Sequence, residues 1–480
     1  MVRASIQSVL VLSVLTNAGC AFSQSAPASP DHPWRSSQEQ QIARDAQAIR
    51  NPTVSIDATK TYPLAELIDY AESHHPVTRV AWENARAQAA AWGVARAELY
   101  PTLAAIALSG VNRAEVPFGS VFYRQTLSTF EATLDLEYTV FDFGARAGRI
   151  AAASAEALAV NFSFNDTHRK VIDQVEQAYY GLLNATGQEQ AARASLANAQ
   201  AVQQAAEDRL KNGLATLPDV LEARSATAQA QYDLQAVLGA QAIARGDLAT
   251  TLGAPVATIV RVQPLDELRI PDSIGGDVDQ VIDRALEQRP DLLAQVAEIR
   301  AADAKIKEAR AAYYPNLAVS AEASAQSLYF VQQALPAGHV ADLAGGFNVS
   351  LNWTVFDGGA RRNRLLQAQA DARVAQSQVA VTRDQIADEV WAAYSNLNTA
   401  LRQREAAVAL LDAATQSYAA ALESYNYGVR NLLDVTAAQK TLAQARSTDV
   451  LARTQVLASL ADLSFRAGDS IQPGARVGRP

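Results

Sequence analysis

Residues 353–362 read WTVFDGGARR and residues 138–147 read YTVFDFGARA: nearly the same ten letters, 215 positions apart. The spacing recurs on either side. ARAELYPTLAAIALSG at 95–110 answers ARAAYYPNLAVSAEAS at 309–324 with an offset of 214, and VEQAYYGLL at 175–183 answers VWAAYSNLN at 390–398 with 215. The same 215 links Gly213 to Gly428 and LPDV at 217–220 to LLDV at 432–435. One offset held over roughly 200 residues marks tandem duplication of a whole structural unit, far longer than a solenoid repeat.

Within one unit, residues 63–99 are Ala-rich with a break at Pro76, a helical pattern that Tyr100 and Pro101 stop. The pattern then shortens to alternation. Leu134, Leu136, Tyr138 and Val140 alternate with Asp135, Glu137, Thr139 and Phe141; in the second unit Val349, Leu351, Trp353 and Val355 alternate with Asn348, Ser350, Asn352 and Thr354. These are strands with one oily and one wet face. Alternation alone suits a half-buried soluble sheet. Three features favour membrane strands instead: segments near the 9 to 11 residues that a spanning strand needs, aromatics at both ends, and flanking helices too long to fold back as an ordinary core. Tyr100, Phe141, Phe143, Tyr313, Tyr314 and Phe356 mark one end, and Phe118, Phe122, Tyr123, Phe130, Tyr329, Phe330 and Phe347 the other, as in the double girdle of a membrane barrel.

From Arg146 to Asn212 run 67 residues without proline, with Val171, Ile172, Val175, Ala178, Tyr179, Leu182 and Leu183 forming a helical stripe. At 1.5 Å per residue this is a rod of roughly 100 Å. Arg361–Tyr427 repeats it at the same length. The shorter helices at 63–99 and 217–252, laid end to end, nearly match one rod. Four strands in one chain cannot close a barrel, and lipid tolerates no open sheet edge, so several copies must combine; two, three or four would give 8, 12 or 16 strands.

Composition agrees with an ordered chain: of 480 residues 49% are hydrophobic and 19% charged, with a formal net charge of -9. No Lys/Arg block stands out, which speaks against nucleic acid as a partner. Arg3, the apolar run from Val9 to Leu15 and the small residues of NAGCAFSQSA (17–26) have the layout of a secretory signal, cleaved after Ser23. Its rival is a lipoprotein signal ending at Cys20, the chain's single cysteine, although Asn17 stands where such signals usually carry Leu. The expected organisation is a signal peptide at 1–23, an extended Pro/Ser-rich leader at 24–60, repeats at 61–253 and 277–468 joined by a linker at 254–276, and a tail at 469–480. No other hydrophobic run approaches the ~20 residues of a membrane helix. His74 and His75 are adjacent and lack ligand spacing, and there is no phosphate loop or nucleophile elbow. No catalytic residue, metal or cofactor is expected. Asp142 and Asp357 read as helix N-caps at the strand-to-helix junction, with Gly144 and Gly359 permitting the bend and Arg146 and Arg361 opening the rods.

The duplicated helix, YP, strand pair, F-D-x-G-x-R, long helix and G-x5-D-V turn together resemble the TolC-like outer-membrane efflux proteins over nearly all of the mature chain. The resemblance implies a mostly α, α+β membrane protein: a homotrimer whose twelve strands form one barrel in outer-membrane lipid, continued by a helical tunnel through the periplasm. It implies a non-enzymatic exit duct, joined through a periplasmic adaptor to an inner-membrane transporter, serving a tripartite efflux pump or, alternatively, type I protein secretion. A periplasmic helical scaffold is the competing class; it would explain the rods but not the girdled strands.

The far ends of the rods are then the working parts. In RLKNGLATLPDVLEAR (209–224), Gly213 reads as a helix C-cap and Thr216 with Asp219 as a capping box; Gly428, Asn431 and Asp434 repeat the layout. The cap suffices as a role for both acids, and threefold symmetry would add a carboxylate ring at the tunnel mouth. The resemblance places the periplasmic gate here, with Tyr425 and Arg430 bonding to Asp219 and with Asp434 in the lumen. Ala437 stands where a second lumen acid is expected. Gly213, Leu214, Leu217, Gly428, Val429, Leu432 and Leu433 are the expected adaptor-docking tip, the apolar residues being alternatively hairpin packing.

Overall fold

The structure is a computed structural model that describes residues 39–48, 56–273, 277–333 and 336–468. The signal segment, Cys20, most of the leader, the end of the linker at 274–276 and the tail at 469–480 lie outside the described residues, as does the Phe118 side chain. The chain divides into two units, Met1–Ser55 and Ile56–Pro480. In the first, α1 spans Glu39–Ala48.

The second unit contains the duplication. Its first repeat runs β1 (Thr61–Tyr62), α2 (Leu64–His74), α3 (Pro76–Ala97), β2 (Thr102–Phe118), β3 (Val121–Phe141), α4 (Ala145–Lys211) and α5 (Leu217–Thr251). After β4 (Arg261–Val262) the second runs α6 (Val278–Gln288), α7 (Pro290–Ala311), β5 (Asn316–Gln332), β6 (Gly338–Asn352), α8 (Ala360–Asn426) and α9 (Leu432–Ala467). Pro76 and Pro290 each open a helix, where a missing N–H costs nothing. Both rods are 67 residues, each one position earlier than the sequence pattern placed it.

The oily stripe of α4 is the core that the periodicity anticipated. Val171, Val175, Tyr179, Leu182 and Leu183 pack with Leu67, Ile68 and Ala71 of α2 and with Leu248 of α5. The second repeat rebuilds that core from Ile386, Val390 and Leu397 of α8, which follow Val171, Val175 and Leu182 by 215, together with Ala285 and Val456. The parallel pair of β1 and β4 borders the first core, with Tyr62 and Val262 packed against it.

Shorter helices accompany each rod in succession. Near its start α4 meets α3 and α7: Arg149 pairs with Glu98 at 2.6 Å, and Lys305 with Glu156 at 2.6 Å. A Cβ on Gly148 would lie 2.8 Å from the backbone N of Glu308, so this approach needs glycine. Farther along, α4 meets α5 and α9, with Gln188 donating to the Ser447 carbonyl at 2.8 Å and Gln241 to Glu189 at 2.7 Å. Where α7 begins and α9 ends, Glu389 of α8 accepts from Arg289 at 2.7 Å and Arg466 at 3.1 Å. Shorter helices thus do lie end to end beside a rod.

The strands form one antiparallel sheet in the order β2-β3-β5-β6. At 17, 21, 17 and 15 residues they are longer than a membrane crossing requires. Even tilted by roughly 45°, 17 residues rise about 40 Å, more than the ~30 Å hydrocarbon layer. Two expectations change. The alternation at 349–355 overran the strand: β6 ends at Asn352 because its partner begins at Asn316, which leaves Trp353 to Phe356 without a ladder. The matching TVF of 139–141 stays in β3, where Thr139 and Phe141 pair with Ala318 and Leu317 of β5 around a bulge at Val140. Phe347 also moves: it pairs with Ala321, close to the rod end of β5 rather than the far end.

One buried acid stands apart from the ion pairs. Burial lifts the Glu176 carboxyl from near 4.5 to about 7, with the Asp173 charge adding to the effect. The folded chain holds this proton more tightly than the unfolded one, so the group favours folding below its unfolded pKa and loses that advantage as pH rises to about 7. Glu176→Gln should therefore unfold at a higher temperature than the parent at pH 8, by up to ~3 kcal/mol in stability, with the gap closing toward pH 4. A gap independent of pH in thermal melts would contradict this.

Candidate functional site: the strand-to-rod corner and the hairpin tips

The repeated TVFD-x-G-A-R is a corner. Asp142 accepts from the backbone N–H of Gly144 at 3.2 Å and of Arg146 at 2.6 Å; Asp357 accepts from Gly359 at 3.1 Å and Arg361 at 3.0 Å. The acids cap, but from two residues upstream. The N-cap positions belong to Gly144 and Gly359, whose φ of 96° and 88° turn the chain too sharply for an aspartate to occupy them. Arg146 then donates to the carbonyls of Glu98 at 2.9 Å and Thr139 at 2.8 Å, and its guanidinium lies over Tyr138. Arg361 pairs with Asp357 at 3.0 Å, donates to the Val355 carbonyl and lies over Tyr313. Arg146 thus fastens the start of its rod to the end of β3, and Arg361 fastens its rod to the chain just past β6. Phe143, with φ of 53°, stacks on Tyr314 of the other repeat at 4.9 Å.

At the opposite ends, both rods stop in the same way. Gly213 N–H reaches the Leu210 carbonyl and Leu214 N–H reaches that of Arg209; Gly428 and Val429 do the same with Tyr425 and Ser424. These are Schellman turns, and the glycines sit at φ of 72° and 77°, where any side chain is strained. The next helices start as the sequence indicated. Asp219 accepts from the Thr216 N–H at 2.8 Å and its hydroxyl at 2.7 Å, completing the capping box, and Asn431 accepts from the Asp434 N–H at 3.0 Å. Those Thr216 bonds, helped by the Arg209 charge, hold the Asp219 carboxyl below the usual carboxylate range.

Within one chain the anticipated latch has different members. The Tyr425 hydroxyl is buried with no hydrogen-bond partner among the described residues and does not bond Asp219, whose carboxylate is held by its own cap. Arg430 is exposed and its side chain makes no bond among the described residues. Asp434 is exposed beside it. The residue that crosses between the hairpins is Arg209: it donates to the Tyr425 carbonyl at 2.8 Å and the Asn426 carbonyl at 3.2 Å, and its guanidinium lies 4.6 Å from the Tyr425 ring centre. Sequence reasoning passed over it. Its signal was an asymmetry, an arginine where the second repeat, 215 residues on, has Ser424.

The tip residues also divide. Leu214, Leu217, Val429 and Leu433 are exposed, whereas Leu432 is only 1% exposed. Leu432 is therefore hairpin packing: it joins Val202, Ala206, Val220, Tyr425 and Val435 in an apolar cluster shared by both repeats. Just beyond the tip, α4, α5 and α9 line a groove of about 730 Å³ that begins at Leu433 and passes Gln439 and Lys440.

A long-stranded sheet with two bare edges, mounted on paired rods of about 100 Å whose far ends form capped hairpins, is the architecture of an outer-membrane channel protein. The profile of the outer membrane efflux protein family matches residues 67–254 and 281–469, and the chain belongs to that family. Its place is the bacterial outer membrane, where it serves as an exit duct for efflux. Among curated relatives it is 29% identical over 404 residues to Protein CyaE of Bordetella pertussis, covering 83% of each chain. It is 26% identical to Outer membrane protein OprJ of Pseudomonas aeruginosa, covering 84% of this chain and 83% of that one. Among solved structures it resembles a membrane protein from Pseudomonas aeruginosa at 25% identity and a TM-score of 0.73, over 84% of this chain and 93% of that one.

An unpartnered buried hydroxyl costs about 1–3 kcal/mol, so Tyr425→Phe should leave the thermal midpoint of the assembled protein unchanged or raise it. A marked fall would show that the hydroxyl finds a partner across a protomer interface.

Proposed function

We propose that three copies of this chain close a twelve-stranded barrel and a periplasmic helical tunnel, forming the outer-membrane duct of a tripartite efflux pump. The observation that carries this reading is the pair of bare edges on β2 and β6. Lipid leaves the outward N–H and C=O groups of both unsatisfied, at several kcal/mol each, so β2 of one protomer pairs with β6 of the next. Three fourfold sets give an even strand number within the range of bacterial barrels. Energy and cargo choice then come from the inner-membrane transporter, and the duct carries out no chemistry.

The tips are the proposed docking surface. Gly213 and Gly428 turn the chain so that Leu214, Leu217, Val429 and Leu433 project from the hairpins, and a periplasmic adaptor covers them. Asp434, repeated three times around the axis, faces the tunnel mouth and favours cations over anions there. Asp219 and Arg430 complete the gate region, Arg430 remaining available to a neighbouring protomer. The signal is read as residues 1–23, with Cys20 as a lipidation site if cleavage precedes it, followed by the leader at 24–60 and repeats at 61–253 and 277–468.

Gly213→Val and Gly428→Val strain their turns without meeting bulk, since no atom lies within 3.9 Å of either Cβ position. Each variant should stay in the carbonate-washed outer-membrane pellet as a trimer yet lose export of a fluorescent pump substrate in a strain without its own duct. Unchanged export in both would contradict the docking surface; release of the parent by carbonate would contradict the barrel.

A further inference from the structure

We propose that Arg209 is the clasp of the periplasmic gate, holding the two hairpins of each protomer together by gripping the end of α8. The inference rests on the gate reading above and assigns the tie to a residue outside it. The last carbonyls of a helix have no partner within it and carry the negative end of its dipole. In α8 two of these, on Tyr425 and Asn426, accept from a guanidinium that belongs to the other repeat. Its planar face covers the Tyr425 ring, so one side chain supplies a positive charge, donors to two carbonyls and a stacking surface. An ammonium cannot do all three.

The position of the contact gives it leverage. Arg209 accepts no substitute from the second repeat, because the residue 215 places on is Ser424. It lies four residues before Gly213, and its Nη2 is 3.9 Å from where a Cβ on Gly428 would sit, so it bridges the two turns themselves. Near the tips the hairpins also share the apolar cluster of Val202, Val220, Leu432 and their neighbours, whose contacts are not directional, and the Gln188 bond to the Ser447 carbonyl lies farther up the rod. Directional bonds from Arg209 fix one arrangement. The grip is on main chain, so splaying the hairpins requires the arginine to leave. Threefold symmetry places three such clasps around the mouth, and losing them biases the gate toward its open arrangement.

The test is single-channel conductance of the purified full-length chain in planar bilayers, with trimers verified for each variant. Arg209→Ala should raise conductance several-fold. Arg209→Lys should fall between parent and Arg209→Ala, since it keeps the charge but not the two-carbonyl grip. Lys211→Ala removes the same charge two residues away, from an exposed ion pair with Asp208, and should match the parent. Parent-like conductance in Arg209→Ala would overturn the clasp. If that variant does not assemble, Arg209→Gln decides by the same comparison: raised conductance supports the clasp and parent-like conductance overturns it. A second arm separates the clasp from the gate reading. Hexaamminecobalt(III) added on the periplasmic side should block the parent, and Asp434→Asn should relieve the block. Block with an unaltered Arg209→Ala sinks the clasp alone, whereas absence of block in the parent sinks the acidic mouth alone.

Discussion

Unpaired backbone at a sheet edge is the constraint on which this molecule depends. The strands β2 and β6 each present a full row of N–H and C=O groups to whatever lies beside them. Water would satisfy those groups, and lipid cannot. A four-stranded sheet that lives in a membrane is therefore a fragment of a closed object, and closure by copies of the same chain is the economical solution. Duplication prepares for it: two hairpins of one design already lie side by side as β3 and β5.

The corner motif transmits the barrel's geometry to the rods. Asp142 and Asp357 hold the first N–H groups of each rod, and Arg146 and Arg361 tie it to the chain leading out of the sheet, at Thr139 of β3 and at Val355 just past β6. Down the rods the oily stripes rebuild the same core twice. At the far end the glycine turns, the caps and Arg209 determine how the hairpins meet. Each layer inherits its position from the one before.

Much of this was legible in the letters, because it rests on local rules. Pro76, the glycines at 213 and 428, the Thr216–Asp219 box and the 67-residue rods follow from backbone preferences that act within a few residues. What escaped depends on neighbours. The same TVF is strand in β3 and not after β6, because the first still pairs with β5 through Thr139 and Phe141 and the second runs out of ladder. Leu432 and Leu433 look alike in sequence, and only the position of the facing hairpin buries the first and exposes the second. The bond expected between Tyr425 and Asp219 does not form among the described residues; Tyr425 joins the tie through its backbone carbonyl, which accepts from Arg209. Arg209 had no twin to draw attention to it.

The most direct test of the account is disulfide scanning between single cysteines in β2 and β6 of neighbouring protomers, in a chain lacking Cys20, after oxidation in outer membranes. The account predicts covalent ladders that stop at three copies, with no interchain product when the cysteines are placed in β3 and β5. Ladders that run beyond three, or a β2–β6 set that stays monomeric throughout, would contradict it.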